Sequence, residues 1–330
     1  MKNDMTAEET KKIPEPAPAP SVSAPATPGT PDSGTPDSGS NASGSKKTGP
    51  KRRFPSFGDV LAMLGIALGA QILVSVLALP VLLVAGHGTD MASLPPAVLG
   101  RLQAVLYFVS MSVALLGVLY YRRLRGGRGA WVRCSLRGFN PALLLWAFVL
   151  IVAVGVVIEP LLRLLPAVHL DVGRGAWTIL MLVVMAPIFE ELLCRGVVLG
   201  SLRARYGVTV AWLASSIFFG VMHIQPAQVI SASVIGLILG FVYLSTESIW
   251  SVMILHALNN AVAYLLLMAG YEQALLIDLV ESRTLYVVIY IAALALSAIS
   301  GFMMARALGK MKSAAGEAGK SADDKNPSAA

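Results

Sequence analysis

About eight stretches of this chain run for the length of a membrane crossing with few or no charges, and that succession limits the fold to very few options. They read as Asp59 to Ala85, Leu102 to Tyr121, Leu143 to Leu165, Ala176 to Gly200, Val208 to Ile224, Gln228 to Leu244, Ile249 to Met268 and Leu285 to Ala305. A hydrocarbon core about 30 Å thick needs roughly 20 apolar residues in a helix. In lipid every backbone N–H and C=O must find a partner within the chain, so spans of this kind are helical. The expected fold class is all-α: a polytopic membrane helix bundle. Composition agrees, with 55% hydrophobic and only 14% charged residues.

The net charge of +7 does not point to nucleic acid, because the basic residues gather between spans. Lys51-Arg52-Arg53 precedes the first span, and Arg122, Arg123, Arg125, Arg128, Arg133 and Arg137 follow the second. Arg203 and Arg205 lie between the fourth and fifth, and Lys310 and Lys312 follow the last. With eight crossings all of these fall on one side, which the positive-inside rule makes the cytoplasm. Both termini are then cytoplasmic, and in a bacterial cell the membrane is the plasma membrane. The opposite side receives His87 and Asp90, Glu159 and Asp171, and Glu272, Asp278 and Glu281. Residues 1–50, rich in Pro, Ala, Ser, Gly and Thr with a tandem Thr-Pro-Asp-Ser-Gly, are expected to be a disordered tail. The membrane domain covers 51–308, and 309–330 form a second disordered tail. Gly65 and Gly69 offer a small-residue packing face on the first span. Two cysteines, Cys134 and Cys194, give no disulfide framework.

Three polar constellations interrupt the apolar runs. Ionisable groups at membrane depth are costly and persist mainly where they pair, line a pathway or do chemistry. Glu190 and Glu191 stand five and four residues before Arg195. Glu191 and Arg195 share a helix face in the favoured order, acid before base, and can neutralise one another. Glu190 points about 100° away and has no cation on its own face, which suits a general base or acid. In the next span Phe219 and His223 are four apart, so the ring can pack on the imidazole. Glu190 lies 17 residues before Gly207 and His223 lies 16 after it. A hairpin turning at Gly207 brings them to nearly one depth. His256 and Asn260 share a face of a later span and can donate hydrogen bonds to an oxyanion or, equally, glue helices together. Gly196, Gly200, Gly236 and Gly240 would allow close helix approach.

The pattern Glu190-Glu191-x-x-x-Arg195, Phe219-x-x-x-His223 and His256-x-x-x-Asn260, in that order and each in its own span, resembles the CAAX-processing and bacteriocin-processing (Abi) family of intramembrane proteases, which includes the type II CAAX prenyl endopeptidases. The resemblance covers roughly residues 175–270. It implies hydrolysis of a peptide bond in a membrane-anchored or prenylated substrate. Glu190 with His223 would activate water, and His256 with Asn260 would stabilise the oxyanion. Glu191, Arg195 and Phe219 would support the site. No cofactor is favoured. A zinc ion held by Glu190, His223 and His256 is the alternative, although the chain has no H-E-x-x-H. A transporter or proton relay, or a non-catalytic scaffold or immunity protein using the same residues as helix glue, are the rival classes. The lipid bilayer is the expected surrounding partner.

Overall fold

The computed structural model describes residues 54–84, 94–127, 132, 134–135, 138–166, 172–271 and 275–324, with backbone alone from 312 onward. The expected tail 1–50 lies outside the described residues, as do His87, Asp90, Asp171 and Glu272. Among the described residues the regular structure is helical: α1 (Phe57–Val84), α2 (Pro96–Leu124), α3 (Pro141–Leu162), α4 (Ala176–Val221), α5 (Pro226–Thr246), α6 (Ile249–Met268), a single turn α7 (Leu276–Leu279) and α8 (Arg283–Asp324).

Seven of these helices are long and apolar enough to cross a membrane among the described residues. One of them, α4, runs for 46 residues, about 69 Å at 1.5 Å per residue and far more than one crossing needs. It is broken at Gly207, whose φ of 83° and ψ of 178° lie outside the helical range and suit glycine. Cys194 on the first arm then meets Met222 at the end of the second, sulfur to sulfur at 3.9 Å, so the arms fold back as the hairpin that the sequence predicts. Counting both arms recovers the eight expected apolar segments.

Local chemistry sets the helix ends. Proline occupies the first turn of α2, α3 and α5, where its missing N–H costs nothing. Asn140 and Ser248 cap α3 and α6 by accepting from the N–H groups of Leu143 and Ser251. Asp59 in the first turn of α1 accepts from Ser56, from Tyr121 and from Arg125, the last at 2.8 Å. This ties α1 to the arginine-bearing end of α2.

The hairpin α4 and helices α5 and α6 form the centre, with α1 packed on α2 and α8 packed on α3 at the periphery. A Cβ at Gly220 would strike the Val229 carbonyl and the Ser233 side chain, one at Gly236 would lie 3.2 Å from the backbone of Ser216, and one at Gly240 would lie 2.8 Å from the Trp212 ring. Small residues thus let the second arm of α4 and α5 approach almost backbone to backbone. Gly65 and Gly69 do not serve in this way. Nothing stands within 4 Å of a Cβ at either, and α1 packs instead through Met63, Ala67 and Ala70.

Two further expectations change. Glu159 is not a loop residue but a buried one in the last turn of α3, accepting from the backbone N–H of Leu276 and so holding α7. The helix α8 continues to Asp324, well past Gly309, where the polar tail was expected to begin. Its continuation, 309–324, carries four Ala and three Lys, which favour a helix, beside three Gly, and no proline occurs before Pro327 to end it.

Candidate active site

The first arm of α4 does not keep one helical register. Leu180–Met185 and Leu192–Leu199 are π-helical and flank the α-helical turn Ala186–Glu191. Such wide turns occur mostly at functional sites. Here one consequence is direct. The Ala186 N–H goes to the Met181 carbonyl, and Pro187, next in line for Leu182, has no N–H to give. The Leu182 carbonyl instead accepts from Asn260 Nδ2 at 2.9 Å. Asn260 therefore stands one turn beyond His256 on α6 with one amide hydrogen fixed to α4.

Glu191 and Arg195 are fully buried and pair as their spacing predicts, Nη1 to Oε1 at 3.0 Å. Arg195 Nη2 donates to the Gly236 carbonyl of α5 at 3.0 Å, and its guanidinium lies 4.8 Å from the centre of the Phe219 ring. The same Glu191 Oε1 also receives His256 Nδ1 at 3.0 Å. A carboxylate cannot donate, so Nδ1 carries the hydrogen and Nε2 points elsewhere. This link between Glu191 and His256 is absent from the spacing argument, since it joins α4 to α6.

Glu190 faces the other way, as expected. Its Oε1 accepts from the Tyr107 hydroxyl of α2 at 2.8 Å. Its Oε2 is buried and has no hydrogen-bond partner. That atom lies 4.0 Å from His223 Nε2 and 3.8 Å from His256 Nε2, too far for direct hydrogen bonds and suited to a bridging water. His223 Nδ1 sits 2.9 Å from the Phe219 carbonyl, which can only accept, so in the neutral ring the lone pair is on the Nε2 facing Glu190. Phe219 meets both imidazoles edge on, with ring centres 5.0 and 5.4 Å away. It is the spacer that holds the two rings around one carboxylate.

His223 requires a correction. It was expected inside a span, yet the second arm of α4 ends at Val221 and His223 occupies the turn before Pro226. Ile224 has a positive φ of 63° and Gln225 is extended. A residue before proline is pushed out of the helical region, so the chain must leave the helix here. The arm 208–221 spans about 21 Å, less than a hydrocarbon core. Non-helical backbone at such depth is tolerated where it lines a cavity or is buried in protein.

Tyr107 is the residue that sequence reasoning missed. A signal was present: Gln103, Tyr107 and Ser110 form a polar stripe at helical spacing on the otherwise apolar α2.

As a zinc site the donors fit poorly. Ligands around tetrahedral zinc, at about 2.0–2.1 Å from the metal, stand about 3.3 Å from one another. The separations of 3.8 and 4.0 Å are wider, and among the described residues no trio of His, Cys, Asp or Glu is disposed to hold a metal.

Fold and site together define a polytopic membrane protein with a carboxylate–imidazole centre enclosed by four of its helices. Residues 172–262 match the family described as type II CAAX prenyl endopeptidase Rce1-like, a segment that contains all three motifs. The site-bearing part of the chain is therefore similar to that family, the resemblance the motifs themselves carried. A relative from Bacillus subtilis (strain 168), named "Putative membrane peptidase YdiL", is 29% identical over 77 residues. Those residues are 23% of this chain and 32% of that protein, so the chain spans about a third of the relative it matches. No solved structure matches the chain.

Proposed function

We propose that this protein is a membrane-embedded endopeptidase, similar to the CAAX prenyl proteases, that cleaves a peptide bond in a membrane-anchored or prenylated substrate without a metal. The observation that carries the reading is the unsatisfied Glu190 Oε2, faced by two imidazole Nε2 atoms at 3.8 and 4.0 Å. A water between them can give its proton to Glu190 while His223 Nε2 orients it. The resulting hydroxide adds to the scissile carbonyl carbon. Oxyanion charge falls to His256, whose Nε2–H would donate in the imidazolium form with Glu191 behind Nδ1, and to the second amide hydrogen of Asn260. Collapse breaks the C–N bond as protonated Glu190 returns the proton to the departing amine. Each atom is accounted for: the water supplies the acid's OH and the amine's hydrogen.

The experiment is cleavage by the purified protein in detergent, using membrane-anchored and prenylated peptides, with and without a strong zinc chelator. Glu190→Gln keeps the hydrogen bond from Tyr107 and removes the base. It should fold normally and lose roughly 10²–10⁴-fold in kcat, the usual share of a general base. Wild-type activity should survive chelation; loss on chelation would move the site to zinc. Product that persists in Glu190→Gln would return these residues to a role as helix glue.

A further inference from the structure

We infer that Tyr107, on α2 and outside the matched segment, is a positioning residue of this centre: its hydroxyl pins Oε1 of Glu190 so that Oε2 alone is presented to His223 and His256. The inference rests on the peptidase reading above and adds to it a helix that none of the three motifs includes.

The geometry is asymmetric in a way that chemistry can use. A carboxylate has two equivalent oxygens and a side chain free to turn. Here Oε1 receives the Tyr107 hydroxyl at 2.8 Å, while Oε2 is left buried and without a hydrogen bond between the two imidazoles. Arg195, the fully buried cation of the cluster, is spent on Glu191 and the Gly236 carbonyl. The Tyr107 hydroxyl is thus what fixes the rotation of the Glu190 carboxylate.

The placement of α2 is itself held at several points. Phe108 meets Phe189 edge to face at 5.7 Å, next to the pair in question in both helices. One turn earlier Gln103 accepts from the Gly173 N–H at 2.9 Å, and the Arg174 N–H bonds to the Pro96 carbonyl. A Cβ at Gly100 would run into the Thr178 side chain and lie 3.2 Å from the Arg174 carbonyl. Gly100, Gln103 and Tyr107 lie along one face of α2. That face is clamped to the start of α4, and the phenol is delivered to Glu190 by a rigid element, as a precise site requires.

The test uses Tyr107→Phe, which keeps the ring, beside the control Tyr264→Phe. The control also removes a buried phenol hydroxyl, but one that accepts from the Gly175 N–H away from Glu190. Two readouts are taken on the full-length protein in detergent. The first is the infrared carboxylate band of Glu190, identified by its loss in Glu190→Gln, which needs no turnover. The second is the division of any activity loss between kcat and KM. Tyr107→Phe should shift the Glu190 band and lower kcat by about tenfold or more, with KM little changed, the pattern of an interaction realised in the transition state. Tyr264→Phe should leave the band in place. An unmoved band in a folded Tyr107→Phe, or a kcat loss no greater than the control's, would overturn the inference. A wild-type protein that cleaves nothing while Tyr107→Phe still moves the band would overturn the peptidase reading and leave the hydroxyl's hold on Glu190 standing.

Discussion

At the scale of single residues, two adjacent glutamates meet opposite fates because a helix turns them apart. Glu191 is enclosed by Arg195 and His256, both on its Oε1, and all three side chains are buried. A buried ion pair is weak evidence of net stability, since desolvation offsets much of the attraction. Breaking it is another matter. Arg195→Met should cost roughly 3–5 kcal/mol because it leaves the Glu191 charge uncompensated, and a large fall in the thermal midpoint in detergent would report it. Adding Glu191→Gln should restore much of that loss, since the orphaned charge is then gone; failure to do so would assign the cost to packing against Phe219 rather than to charge. Each glutamate keeps its Oε2 buried and without a hydrogen-bond partner. What separates them is their surroundings: Glu191 is paired with Arg195 through Oε1, whereas the open Oε2 of Glu190 faces two imidazole Nε2 atoms, which is why the reactive role is proposed for Glu190 and not for its neighbour. The Glu191–Arg195 pair and the Phe219–His223 contact are legible in the sequence, since each joins residues four apart, the first within the helix and the second across its end. The contact of His256 with Glu191 is not, because it joins residues 65 positions apart.

At the scale of elements, the hairpin α4 decides the site. Its fold-back at Gly207 was legible because glycine in a polar stretch between two apolar runs is a break with a physical cause. The exit of the chain before His223 was less so, because the apolar character continues through Ile224 while the stop comes from Pro226 acting on the residues ahead of it. The close crossing of the second arm with α5 depends on Gly220, Gly236 and Gly240. Gly220→Ala should destabilise the protein by about 1–3 kcal/mol, the usual cost of overpacking. It should also lower activity, since His223 lies three residues on and moves with the arm. Gly65→Ala is the matched control: its Cβ meets nothing within 4 Å, so melting temperature and activity should stay at or slightly above wild type. Equal effects of the two substitutions would mean that the crossing is not what positions His223.

At the scale of the whole molecule, orientation in the membrane follows from where charge collects. Cys134 is exposed in the arginine-bearing connection between α2 and α3, and Cys194 is buried. A membrane-impermeant maleimide should therefore label Cys134 in inverted vesicles and not in intact cells. Labelling in intact cells would invert the topology and place the basic loops outside. Hydropathy determined the number of apolar segments, and charge predicts the side on which the basic connections lie, because both are properties of short stretches read one at a time. Periodicity likewise determined which polar side chains share a helix face. Only the tertiary structure decided which helices meet. It placed Tyr107 of α2 on one oxygen of Glu190, set His223 and His256 opposite the other, and tied Asn260 to a carbonyl that Pro187 leaves open. The spacing of residues along one helix fixes a direction. The distance from that side chain to another helix depends on glycines, ring volumes and register shifts spread over the whole bundle, and no local pattern contains them.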